Sequence, residues 1–96
     1  MSDVITTAVT ALQAKLADGF SAGSAKFVIP GEGAIVADST GVRAGDEETD
    51  VTLTAEAEVF RAILDGEMNP TMAFMSGKLT VDGNMGLAMQ LGAALS

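Results

Sequence analysis

Residues 69–89 read Asn69-Pro70-Thr71-Met72-Ala73-Phe74-Met75-Ser76-Gly77-Lys78-Leu79-Thr80-Val81-Asp82-Gly83-Asn84-Met85-Gly86-Leu87-Ala88-Met89. Local chemistry divides this stretch into three elements. Asn69 suits an N-cap because its side-chain oxygen can take a free backbone N–H, and Pro70 suits the first helical turn, where no donor is needed. A short helix is therefore predicted through Met75, closed by Gly77. Lys78-Leu79-Thr80-Val81-Asp82 alternates apolar and polar side chains, the period of a half-buried strand. Gly83-Asn84 reads as a turn and a cap that open a last helix over residues 85–95.

Working outward, residues 55–65 carry Phe60, Ile63 and Leu64 on one helical face and Glu58, Arg61 and Asp65 on the other. Thr54 is read as the cap, Glu56 and Glu58 suit the positive helix end, and Gly66 ends the helix. Val51-Thr52-Leu53-Thr54 alternates as a strand. Before it lie Lys26-Phe27-Val28-Ile29, stopped by Pro30 and Gly31, then Ala34-Ile35-Val36-Ala37 and Val42-Arg43-Ala44, joined by turns at Gly31-Glu32-Gly33 and Thr40-Gly41. Residues 3–18 place Ile5, Ala8, Val9, Leu12 and Leu16 at helical spacing, with Ser2 as cap, Asp3 in the first turn and Gly19 as the stop. Helices and strands do not strictly alternate, so the fold class is α+β: one domain over residues 1–96, with a sheet covered by helices on one face.

The totals exclude several functions. The net charge is −8, from 13 acidic and 5 basic residues. Lys15, Lys26, Arg43, Arg61 and Lys78 are scattered, so neither nucleic acid nor standing attachment to an anionic membrane is expected. Transient contact with a neutral surface remains compatible. The chain has no Cys and no His, which removes thiolate and imidazole metal sites, Cys nucleophiles and His-based acid–base chemistry. No catalytic residue, metal or cofactor is expected. The opening Met1-Ser2-Asp3 lacks the basic and apolar regions of a signal peptide, and a cytoplasmic protein is expected.

Two features have more than one reading. Met68, Met72, Met75, Met85 and Met89 cluster in the last third of the chain. Unbranched, polarizable Met can line a wall that adapts to a flexible ligand, or simply fill a core. The last helix is apolar nearly all round, so it is a lid, a subunit contact or a docked core helix. Asp46-Glu47-Glu48-Thr49-Asp50 lacks a calcium-loop spacing and is read as a solvated turn. Gly31-Glu32-Gly33 completes no phosphate-binding fingerprint.

The stretch from Asn69 to Met89 closely resembles the signature end of sterol carrier protein 2 domains: Asn-Pro, a Met-Ala-Phe-Met core, Ser/Thr-Gly-Lys, an alternating strand, Gly-Asp/Asn and a Met- and Leu-rich helix. Residues 50–54 and the run Phe60-Arg61-Ala62-Ile63-Leu64-Asp65-Gly66 resemble it too, while residues 1–45 match in type. The resemblance implies a five-stranded sheet covered by helices around an apolar tunnel, and carriage of fatty acid, acyl-CoA, phospholipid or isoprenoid rather than chemistry. Carried over by position, the lining would comprise Phe60, Ile63 and Leu64 from one helix, and Met72, Phe74 and Met75 from the next. Leu79 and Val81 would follow from the last strand, Met85 and Met89 from the last helix, and Phe27, Ile29 and Leu53 from the sheet. The chain ends Ala94-Leu95-Ser96, not in a peroxisomal tripeptide, and Ile35 stands where an aromatic residue is frequent. A stand-alone bacterial-type member, monomeric or weakly dimeric, is the expectation. The alternative is an interaction module with a vestigial pocket that associates through its apolar last helix.

Overall fold

The computed structural model describes residues 3–17 and 19–95. The elements follow as α1 (Asp3–Lys15), β1 (Ala25–Ile29), β2 (Gly33–Asp38), β3 (Gly41–Ala44), β4 (Val51–Ala55), α2 (Ala57–Leu64), α3 (Pro70–Met75), β5 (Leu79–Gly83) and α4 (Met85–Leu95). The strands form one sheet in the order β3-β2-β1-β4-β5. Only β1 and β4 are parallel; the other neighbours run antiparallel. The expected five-stranded α+β architecture is present.

Register puts one apolar row across the sheet. Ile35 pairs with Phe27, Phe27 with Leu53, and Leu53 with Val81. Residues facing the same way in β1 and β4 are buried, while their alternates Lys26, Val28, Thr52 and Thr54 are only half-buried. The buried row packs on Ile5, Leu12 and Leu16, on Phe60 and Ile63 of α2, on Ala73 of α3, and on Leu87, Leu91 and Leu95. All four helices thus cover one face. No polar or charged side chain is buried among the described residues, so burial of this core carries no desolvation penalty for charge.

The other face is crossed by the chain itself. β3 lies at the sheet edge and runs parallel to β4, so residues 45–50 must pass over β2 and β1. The predicted solvated turn is this strap. Its residues are largely exposed, but Asp46 pairs with Lys26 Nζ at 2.8 Å, and Glu47 with Arg43. Asp50 accepts from Ser24 N and Oγ at the foot of β1.

The β2–β3 hairpin is pinned by a charged cluster. Asp38 Oδ1 and Oδ2 accept from Arg43 Nη1 at 3.2 Å and Nη2 at 3.1 Å, and Oδ1 also accepts from Thr40 N and Oγ1. The Arg43 bonds, followed by those of Thr40, hold the Asp38 carboxyl below the usual carboxylate range. A carboxyl held low stabilises the fold fully above its unfolded value, about 3.9, and that contribution fades as pH falls through the folded value. Asp38→Asn is expected to lower Tm at neutral pH, with a deficit that shrinks progressively below about pH 3.9. Thermal melts across that range decide it; a deficit independent of pH counts against the mechanism.

Three boundaries differ from the sequence expectation. The first helix ends at Lys15 instead of residue 18, with a turn at 16 and 17; the Ser2 cap and Asp18 lie outside the described residues. Thr54 does not cap α2. It pairs with Thr80, and Ala55 with Leu79, so both belong to β4. Backbone pairing to β5 outcompetes a cap there, and Glu56 takes the N-cap position without a side-chain cap bond. Lys78 precedes β5 because its N–H closes α3 by bonding Ala73 O at 2.9 Å.

Candidate functional site

The site grows from the segment 69–89 and its neighbours. Asn69 Oδ1 accepts from Thr71 N at 2.8 Å and Met72 N at 3.4 Å, which starts α3 as predicted. Gly77 at φ +80° ends it, bonding Phe74 O. Such left-handed closure needs a residue without a Cβ penalty. Pro70 and Ala73 turn inward and are buried, so Phe74 and Met75 are left at the edge of the helix.

α4 is placed by the turn after β5. Gly83 has φ +105°, and a Cβ there would stand 2.5 Å from Asp50 O. That oxygen accepts from Asn84 N, and Asn84 Oδ1 then caps α4 through Leu87 N at 3.1 Å. Leu87, Leu91 and Leu95, one turn apart, face the core. Met85, Ala88, Met89 and Gly92 form the adjoining stripe, which borders a void.

That void is a cleft of about 310 Å³ between the sheet and α2, α3 and α4. Phe27, Leu53, Leu79 and Val81 form its floor, and Phe60 and Ile63 one wall. Phe74 and Met75 of α3 and Met85 and Met89 of α4 flank its opening. Phe27 and Phe60 meet edge to face, with ring centroids 5.7 Å apart, a geometry favoured by the ring quadrupoles. Of the lining residues only Thr71 is polar, and none is titratable.

The structure distributes the other three residues implied by the family resemblance differently. Ile29 and Leu64 line a separate cavity between α1 and α2. Met72 is 68% exposed and lines neither cavity. Conversely, Pro70, Thr71, Ala88, Leu91, Gly92 and Leu95 line the cleft without having been singled out. The signal for part of that set was present: Ala88, Gly92 and Leu95 share a helical face with the recognised Met85.

The opening is apolar and exposed. Met75 is 79% and Met89 75% accessible, and Phe74 and Met85 are more than one-third accessible. A cluster of exposed large apolar side chains around a cavity is unusual for a surface with no partner. An apolar cleft of this size lies at the lower end of the ~300–1,000 Å³ of small-molecule sites. With no titratable side chain in its lining, it can hold an apolar group, exclude water and keep a polar end outside. No helix among the described residues is long and apolar enough to cross a membrane.

Comparison with known proteins agrees with this geometry. A family model described as the SCP-2 sterol transfer family matches residues 7–96. Human sterol carrier protein 2 is 39% identical over 80 residues, covering 80% of this chain but only 14% of the human protein. The crystal structure of sterol carrier protein 2 like 2 from Aedes aegypti superposes with a TM-score of 0.77 at 22% identity, covering 94% of each chain. The solution structure of Aedes aegypti sterol carrier protein 2 in complex with palmitate superposes with a TM-score of 0.75 at 21% identity, covering 100% of this chain and 97% of the other. At those identities the two structures establish the fold.

Proposed function

We propose a lipid-carrying function from one premise: the chain belongs to the SCP-2 sterol transfer family. The observation that carries the reading is the untitratable apolar cleft with exposed Met and Phe at its opening. A fatty acid, acyl-CoA, phospholipid or isoprenoid inserts its chain between the sheet and α4, and its polar end stays in water at the opening beside Thr71. Each methylene transferred from water contributes about 0.8 kcal/mol, so affinity needs no specific polar contact. Flexible Met side chains adapt to chains of different shape. The palmitate complex of the Aedes aegypti relative supports a single acyl chain as the ligand class.

The protein acts by carriage and presentation and not by catalysis, as a cytoplasmic monomer that touches membranes briefly through the Met-lined opening. Association through α4 is the weaker reading, because the leucine stripe of that helix is already buried against the core. Displacement of a fluorescent fatty acid tests the proposal. Micromolar or tighter binding of straight-chain acids, and lipid identified by mass spectrometry in the purified protein, are the expected results. Failure of acyl chains, acyl-CoA, phospholipids and isoprenoids alike to displace the probe would overturn the carrier reading.

A further inference from the structure

We propose that the Phe60 ring is a displaceable partition between the cleft and the second cavity, and that it sets the length of acyl chain the protein accepts; this inference rests on the carrier reading above. The second cavity holds about 220 Å³ between α1 and α2. Phe60 is the residue common to the linings of both cavities. Two elements lead from one cavity to the other beside it. On β1, Phe27 faces the cleft, and Ile29, the next residue on the same face and about 6.6 Å along the strand, faces the second cavity. On α2, Ile63 faces the cleft and Leu64 the second cavity.

Protein interiors are normally close-packed. Phe60 is only 5% exposed, yet it borders both cavities. Where it borders the two cavities the ring lacks part of the dispersion contact of a close-packed core, while its edge contact with Phe27 restrains it. Turning the ring joins the two cavities. The second is apolar inside, with Val4, Ala8 and Leu64, while the exposed Asp3, Arg61 and Asp65 stand at its rim. Two carboxylates against one guanidinium disfavour an anionic head there and do not oppose an uncharged chain end. The head therefore stays at the Met-lined opening, and the tail of a long chain passes Phe60.

The test titrates straight-chain acids from decanoic to octadecanoic, by displacement of a fluorescent fatty acid, against the wild type, Phe60→Trp and Ala11→Leu. Ala11 lines only the second cavity, at a half-buried helical position, so its Leu variant should fold even where the Trp variant does not. Wild-type affinity is expected to keep rising with length, by up to about fourfold per methylene. Both variants should stop that rise earlier, cutting the ratio of octadecanoic to decanoic affinity by on the order of tenfold. Methyl resonances of Val4 and Leu64 should shift only with the longer acids. Acids that bind with an unchanged length profile in both variants, without perturbing Val4 or Leu64, overturn the partition while the carrier reading stands. Acids that displace no probe from any of the three proteins overturn the carrier reading itself.

Discussion

Phe27→Ala is expected to lower the unfolding free energy by about 3–5 kcal/mol. The ring is 1% exposed and stands mid-sheet, with Ile35 on one side and Leu53 on the other in register. Its removal deletes a large apolar transfer contribution, opens a void at the centre of the apolar row and ends the contact with Phe60 at 5.7 Å. Small domains have only about 5–15 kcal/mol in total, so the variant should unfold at a much lower denaturant concentration. Urea titration at constant m value measures the loss. A loss below about 1 kcal/mol would mean that the helices collapse onto the vacated position, and that Phe27 is not the keystone its burial implies.

Ala88→Trp is expected to weaken acyl-chain binding about a hundredfold while leaving the fold intact. Ala88 sits half-buried on α4, with the cleft in front of it. An indole there has a void to enter, so it displaces ligand volume and does not compress packed core. Excluding three or four methylenes at about 0.8 kcal/mol each removes about 3 kcal/mol, or two decades of affinity. Fluorescent fatty-acid displacement and a thermal melt separate the two effects. A stable variant that binds like the wild type would put the ligand outside this cleft.

How far each feature was legible follows from how local its cause is. The Asn69 cap, the Pro70 start, the Gly77 stop and the Asn84 cap act within one helical turn, and all appear where the residues placed them. The alternation of residues 51–54 likewise identified a strand. The end of that strand was not legible. Thr54 is a good cap in isolation, and only the arrival of Leu79 and Thr80 alongside makes it and Ala55 strand residues. The acidic run looked like a free turn because nothing nearby in sequence revealed that β3 and β4 lie on opposite sides of β1 and β2.

The cleft shows the same division. Periodicity grouped Phe60 with Ile63, and the family resemblance added Met85 and Met89; the four line one void. Neither separated Ile63 from Leu64, adjacent residues that face different cavities across α2. Met72 was selected with its neighbours, but Pro70 and Ala73 hold the inward face of α3 and leave it in solvent.

Residues 69–89, read alone, determine a helix, a strand and a helix, because caps, proline and alternation depend on neighbours a few positions away. That these three elements wrap a cleft instead of closing a core was decided by the tertiary structure. Its volume depends on how far α3 and α4 stand from β4 and β5, and that distance is set by side chains drawn from the whole chain. The place of one ring of α2 has the same origin: Phe60 comes to border both cavities only when β1 and α1 are packed beside it.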